Sequence, residues 1–139
     1  MAPRDIELIL FRQLASSLAL PILLVDKDSD LLFFNEPAEV LLGQRFDDVG
    51  DMTLDERREA FAFLDQHGKP LPPDQPPLVV AMRERRPVHR IVSLRTFEGV
   101  YRSIEVTAFP LLGAGGHLIG GVVMFWERAA RRVDQRAGQ

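Results

Sequence analysis

The three histidines are the residues best suited to catalysis or metal binding, but their positions favour neither. His67, His89 and His117 show none of the short spacings of paired metal ligands, and each lies in or beside a predicted turn. No serine occupies the Gly-x-Ser-x-Gly motif that presents a nucleophile, and no base is paired with a nucleophile in the sequence. We therefore predict no catalytic residue and no metal site, and we expect a protein that is not an enzyme.

Asp26, Asp28 and Asp30 form an acidic triplet with the spacing that opens a calcium-binding loop. Such a loop needs a glycine at its sixth position and a glutamate at its twelfth. This sequence has Leu31 and Pro37 there, so the chelating geometry fails. The triplet instead predicts a solvated hairpin turn.

A group of arginines could bind a carboxylate or a phosphate, because a guanidinium offers a planar fork of donors. The group consists of Arg83, Arg85, Arg86 and Arg90. The first three lie at the end of a predicted helix, where cations oppose the helix dipole without any ligand. We favour this structural role over an anion site.

The composition predicts one globular domain, since 139 residues with 46% hydrophobic content can bury a core without covalent cross-links. The lack of cysteine excludes disulfides, thiolate metal sites and sulfur-linked cofactors. A net charge of −3 is too weak to indicate nucleic-acid binding. The longest apolar run, 18–25, is well short of the roughly 20 residues that span a bilayer. With no signal peptide in the first residues, we expect a cytoplasmic protein that binds neither nucleic acid nor membrane.

The N-terminal half begins with an amphipathic helix over 5–18, in which isoleucine and leucine recur at helical spacing. Two apolar runs, 20–26 and 30–35, follow across a polar turn and predict a β-hairpin. Asn35 can cap a short helix that Gly43 ends. A second helical piece is predicted over 53–60.

The C-terminal half follows a proline-rich connection. Asp74 is predicted to cap a helix that Pro87 ends, and three strands follow, at about 87–95, 99–110 and 117–126.

Two strand segments are apolar at every position, namely 22–25 and 122–126. Both faces of these strands must be covered, so they belong in the middle of the sheet. The helices within 36–86 can cover only one face. The N-terminal helix or a second subunit must therefore cover the other.

This element order, with its motifs, resembles the PAS domain over about 16–128. The hairpin containing Asp26 is followed at 35–43 by Asn-Glu-Pro-Ala-Glu-Val-Leu-Leu-Gly, which is similar to the family's N-x-A-x-x-x-x-G segment. The stretch from Gly68 to Pro72, with Pro77-Leu78, resembles the connection in bacterial sensor members. The last hairpin of the family is matched by the segments 99–102, 109–111 and 120–123.

The chain departs from the family pattern in two places. Glu127, Arg128 and Ala129 stand where many members have Asp-x-Thr after the last strand. Ser29 and Asp30 replace the usual glycine of the first hairpin turn. Both departures bear on signal transmission and leave the fold unaffected.

The resemblance implies an α+β PAS fold, with a five-stranded antiparallel sheet of order 2-1-5-4-3 and helices on one face. We expect an N-terminal amphipathic helix at 1–18, the PAS domain at 19–127, and the start of a C-terminal exit helix at 128–139.

The resemblance also implies a non-enzymatic sensory or regulatory module of bacterial signal transduction. We expect a homodimer that acts on an output kinase, cyclase or regulator domain, with the dimer interface formed by Ile6, Ile9, Leu10 and Leu14. We further expect a pocket between sheet and helices for a small apolar or aromatic ligand, lined by Leu24, Phe34, Leu41, Leu78, Met82, Val92, Ile104, Val106 and Met124.

The cofactor, if there is one, is not identified by the sequence. Without cysteine, neither a flavin photoadduct nor a thiol-linked chromophore can form. We do not expect haem, because the helix before Pro87 has no histidine and His89 is the only candidate nearby. A non-covalent flavin stays open, with Trp126 as a contact.

Two alternatives remain open. One is the same fold with a collapsed core, acting only in dimerisation or protein docking. The other is a small cone-shaped α+β enzyme, such as an isomerase or dehydratase, with His67 or His89 near an acid.

Overall fold

A computed structural model of the chain describes residues 3–128. The helices and strands are, in chain order, α1 (Pro3–Ser16), β1 (Ile22–Asp26), β2 (Leu31–Phe34), α2 (Glu36–Leu42), α3 (Phe46–Val49), α4 (Leu54–Ala60), β3 (Ala62–Leu64), α5 (Pro77–Glu84), β4 (Val88–Arg95), β5 (Tyr101–Leu112) and β6 (Leu118–Glu127). The exit helix predicted for the C-terminus lies outside the described residues from position 129 onward.

All strands belong to one antiparallel sheet of order β2-β1-β6-β5-β4-β3. The five predicted strands have the predicted order, but the count is wrong by one. The additional strand is β3, which pairs with β4 through Ala62↔Arg95 and Leu64↔Ser93 at the edge of the sheet. Three residues are too few for a decisive periodic pattern, so this strand was not predicted.

The prediction that the two uniformly apolar strands are central is confirmed. β1 pairs with β2 and β6, and β6 lies between β1 and β5. Successive residues of a strand point to opposite faces. Leu23 and Val25 accordingly enter the large core beneath α2, α3 and α5, while Ile22 and Leu24 enter a smaller cluster beneath α1. We call these two sides of the sheet the helix face and the outer face.

Helix α1 covers part of the outer face with residues other than those predicted for the dimer interface. Leu8, Phe11 and Ala15 pack toward the cluster that contains Ile22 and Leu24. The residues predicted for the dimer interface are between 43% and 59% exposed, namely Ile6, Ile9, Leu10 and Leu14. Because α1 is apolar on two sides, its spacing alone could not show which side packs against the sheet.

Helix α5 is shorter than predicted, and Asp74 does not cap it. The helix begins at Pro77, after Pro76, because prolines lack the N–H groups that a cap would satisfy. It ends at Arg85 in the left-handed conformation, two residues before Pro87.

The acidic triplet forms the predicted hairpin turn. Asp26 Oδ1 accepts hydrogen bonds from the N–H groups of Asp28 and Asp30, at 2.8 and 3.1 Å. Ser29 takes up the left-handed conformation, with φ of 68°, that a glycine would adopt without strain. The described residues contain no group of three or more acidic or histidine side chains arranged to hold a metal ion.

The side chain of Asn35 makes four hydrogen bonds although the residue is only 1% exposed. Its Oδ1 accepts from the N–H groups of Ala38 and Ile22, which confirms the predicted cap of α2. Its Nδ2 donates to the carbonyl oxygens of Ala15 and Leu20, both at 2.9 Å. One amide therefore connects the end of α1, the start of β1 and the start of α2.

The glycine pair of β6 permits two close approaches. A side chain at Gly120 would clash with the backbone carbonyl of Val25 on β1. A side chain at Gly121 would lie 2.6 Å from Leu78 Cδ1, so this glycine lets α5 pack directly on the sheet.

Replacing Asn35 tests the connection between the layers. Asn35→Ala removes four hydrogen bonds and leaves the N–H groups of Ile22 and Ala38 and the carbonyl oxygen of Leu20 without that partner, so we expect the free energy of unfolding to fall by about 3 kcal/mol or more. Urea denaturation measures the change. Gln44→Ala, at an exposed position, is the control and should stay within about 0.5 kcal/mol of the parent. An Asn35→Ala loss as small as that of the control would contradict the assigned role.

Replacing Gly120 tests the contact between the central strands. Gly120→Ala forces β1 and β6 apart, and we expect a destabilisation of about 3 kcal/mol, at the upper end for overpacking. The matched control is Gly113→Ala, whose new methyl would meet only the flexible ends of Ile119 and His117. Equal thermal unfolding midpoints for the two variants would show that the strands are not held at this distance.

Candidate functional site

A cavity of about 80 Å³ lies between the helix face of the sheet, α4, β3 and the start of α5. It is lined by Ser29, Leu54, Arg57, Arg58, Phe61, Ala62, Phe63, Pro76, Pro77, Leu78, Val79, Val106 and Val123. Most of these side chains are apolar. The cavity is therefore suited to the apolar part of a small molecule.

The aromatic walls of the cavity are held by ring contacts within the core. Phe61 packs edge-on against Phe63 at 6.3 Å and lies 5.1 Å from Phe97. Phe63 in turn meets Phe125 of β6 edge-on at 5.8 Å. These contacts tie the edge strand β3 to the centre of the sheet.

Arg57 is the polar residue that distinguishes this cavity. Thr53 and Glu56 form a capping box that starts α4, and this start sets the face on which Arg57 lies. Arg57 Nη2 donates to the carbonyl oxygen of Ser29 at 3.1 Å. Its Nε is buried without a hydrogen-bond partner among residues 3–128. Burial, with Arg58 beside it, lowers the pKa of the Arg57 guanidinium to about 10, so the group is still cationic at neutral pH.

The size of the cavity limits its occupants. Ligand pockets for drug-sized molecules have volumes of about 300–1,000 Å³, and an engineered cavity of about 150 Å³ holds benzene. At about 80 Å³, this cavity accommodates only a few non-hydrogen atoms. A flavin or a haem does not fit the cavity in this structure.

The predicted pocket residues divide into three groups. Leu78 and Val106 line the cavity. Five others belong to or pack against the core of the helix face, outside the lining: Phe34, Leu41, Met82, Val92 and Ile104. Leu24 and Met124 pack on the outer face with Ile22 and Val122, so their assignment to a pocket beneath the helices is wrong.

Sequence reasoning missed Arg57, Phe61, Phe63 and Val123. Arg57 lies in the charged run Asp-Glu-Arg-Arg-Glu, which is typical of a solvent-exposed helix. The two phenylalanines lie on and before the strand that the sequence did not predict. The alternation of Phe61 and Phe63 was the one available signal, and it spans too few residues to be decisive.

His89 lies on the outer face, away from the cavity. Its Nδ1 is 2.9 Å from Thr107 Oγ1, its Nε2 is 3.1 Å from Glu105 Oε1, and its ring lies 5.9 Å from that of Trp126. The histidine and the acid are near each other, but on an exposed surface rather than in a cleft. Neither His89 nor Trp126 can reach a group bound between sheet and helices.

The arginines at the end of α5 do not converge on an anion site. Arg83 and Arg86 both pair with Glu84, at 3.3 and 2.6 Å, and their hydrogen bonds lower the pKa of that carboxyl. Arg85 donates to the carbonyl oxygen of Gly116 at 2.7 Å, and Arg90 to that of His89. Each guanidinium has a partner within the protein.

Within residues 3–128, none of the helices has the length and apolar character that spanning a membrane requires.

Comparison with known proteins identifies the architecture. A family profile described as PAS fold matches residues 15–133. No curated protein matches the chain.

Solved structures show the same fold at low sequence identity. The PAS domain of BvgS from Bordetella pertussis superposes with a TM-score of 0.58 at 18% identity, covering 95% of this chain and 96% of that one. The complex of phage VqmA with DPO superposes with a TM-score of 0.61 at 14% identity, covering 98% of this chain and 60% of that one. The light-state dimer of the fungal blue-light photoreceptor Vivid superposes with a TM-score of 0.59 at 13% identity, covering 88% of this chain and 94% of that one.

Proposed function

Because the chain belongs to the PAS fold family, we propose that it is a non-enzymatic sensory or regulatory module of signal transduction. Its ligand would be a small molecule held between the sheet and the helices. The observation that carries this proposal is the apolar cavity beneath α4 and α5, with one buried guanidinium in its wall.

The position of the cavity supports a sensory role. Val106 of β5 and Val123 of β6 form part of its floor, and Ser29 of the β1–β2 turn forms part of its wall. An occupant would therefore contact two adjacent strands and the first hairpin together. The structure of phage VqmA in complex with DPO is a precedent for a similar fold in a complex.

The exposed side of α1 supports a homodimer. Leu10 and Leu14, together with Leu111, Leu112 and Ile119, line a groove of about 310 Å³ at the outer face. A second copy that packed its own α1 here would bury leucine side chains now about half exposed. The Vivid light-state dimer is a precedent for a self-associating relative of the fold.

We place the protein in the cytoplasm of a bacterium, upstream of an output kinase, cyclase or regulator domain.

The small volume of the cavity favours one alternative function. A PAS module whose core needs no ligand would act only by dimerisation or by docking to a partner protein. Its cavity would be a packing defect that never fills.

Native mass spectrometry of the freshly purified protein, combined with an absorbance spectrum, separates the two functions. We expect a dimer that carries a small additional mass without visible absorbance, because the cavity is too small for a flavin or a haem. A dimer without any bound mass, under conditions that retain weak ligands, would favour the docking module. A visible chromophore would contradict the size argument.

Charge on the exposed side of α1 tests the dimer. Ile6→Asp or Leu10→Asp places a carboxylate where we expect an apolar interface, and should shift the molar mass from dimer to monomer. Multi-angle light scattering measures the mass, and circular dichroism reports whether the sheet stays folded. Gln75→Asp, at an exposed polar position before α5 and outside the proposed interface, is the control and should remain dimeric. An unchanged mass in the two apolar variants would mean that α1 only covers its own sheet.

A further inference from the structure

The lining of the cavity has an unbalanced charge. It contains Arg57 and Arg58 and no acidic residue. Among residues 3–128, neither arginine forms an ion pair with a carboxylate. Asp30 is the acid whose charge acts on Arg57, but its Oδ1 accepts the backbone N–H of Leu54 at 2.9 Å. A cation thus faces an apolar space without a counter-ion in contact.

The buried Nε of Arg57 has a free energy cost that the protein itself does not offset. A buried donor without an acceptor destabilises the folded state, and such groups in native proteins call for an explanation. Arg102 is the other described arginine with a buried, unpartnered Nε, but its Nη1 pairs with Glu127 at 2.9 Å. Within the described part of the chain, the Arg57 side chain has one hydrogen-bond partner, the carbonyl oxygen of Ser29.

We propose that the cavity binds a small monocarboxylate with a short apolar chain, whose carboxylate accepts hydrogen bonds from Arg57. This inference rests on the proposed ligand-binding function and adds the chemical class of the ligand. The chain of the ligand lies against Phe61, Leu78, Val106 and Val123. Arg58, which is exposed, lies at the mouth and adds a second positive charge.

The dimensions of the site define the ligand further. The cavity has about half the volume of one that encloses benzene, which leaves room for an apolar chain of about three carbon atoms, with the carboxylate itself at the edge of the cavity against Arg57. One guanidinium and apolar walls match a single carboxylate rather than a multiply charged phosphate, which would need more donors to replace its water.

Titration with matched probes tests this class. Butyrate, butyramide and acetate are added separately to the uniformly ¹⁵N-labelled protein at constant pH and ionic strength, and amide chemical shifts are followed. Butyrate should shift the amides of Ser29, Phe61 and Val123 and bind about tenfold or more tightly than its neutral isostere butyramide, because the amide oxygen that replaces the carboxylate has no charge to pair with the guanidinium. Acetate should also bind more weakly, because it lacks the apolar chain.

Variants assign the effect to Arg57. Arg57→Met should weaken butyrate about tenfold or more and butyramide much less, because methionine keeps the apolar stem and removes the charge. Arg57→Lys keeps the charge without the fork of donors and should bind butyrate with intermediate affinity. If Arg57→Met does not fold, the affinity of Arg57→Lys for butyrate alone tests the role of Arg57, and an affinity equal to that of the parent would contradict it. Arg58→Met should have the smaller effect of an exposed charge.

The outcomes separate this inference from the function on which it rests. Equal binding of butyrate and butyramide, or full butyrate affinity in Arg57→Met, would overturn the carboxylate assignment and leave a neutral ligand in the same cavity. Shifts confined to exposed arginines, and equal for butyrate and acetate, would also overturn it. If no probe shifts the cavity amides and native mass spectrometry shows no bound mass, both the ligand class and the sensory function fail.

Discussion

The buried amide of Asn35 is the constraint on which the architecture depends. Because β1 is apolar on both faces, both must be covered. The helices α2 to α5 cover one face, and α1 covers part of the other. Those layers come from separate parts of the chain, and hydrophobic contact alone does not fix their orientation. Asn35 fixes it by binding the end of α1, the start of β1 and the start of α2 with one side chain. All four of its hydrogen-bonding positions are used, so none is left unsatisfied in the core.

The candidate site shows the opposite arrangement. The Arg57 Nε is buried with no partner, and its charge faces apolar walls. Proteins tolerate such local costs where binding or catalysis requires them, since stability elsewhere keeps the fold intact. The fully satisfied amide at Asn35 and the incompletely satisfied guanidinium at Arg57 thus distinguish a structural polar residue from one suited to a ligand. The β1–β2 turn connects the two, because Ser29, which binds Arg57, lies between the strands that Asn35 anchors.

Most of the fold could be predicted because its signals are local. Asn35 and Gly43 bound α2 as expected, since cap preferences depend on neighbouring residues only. The segments of β1 and β6 that are apolar at every position correctly predicted a central place in the sheet. β3 was missed because its three residues pair with a strand some thirty positions away, so it is fixed by long-range contacts. The site was predicted only in outline, since Leu78 and Val106 line the cavity but Arg57 looked like one charge of an exposed helix.

The sequence by itself determined which segments are helices and strands, which strands are central, and that two layers must cover them, because hydrophobic periodicity and capping act over a few residues. Only the tertiary structure decided which face each residue of a uniformly apolar strand presents. Leu24 is turned away from the cavity because its pairing with Phe33 and Val122 sets the register. In a run without alternation of polar and apolar residues, the sequence does not show which residues face which side of the sheet. The same holds for Arg57, since a guanidinium becomes a site only when folding brings distant apolar walls around it.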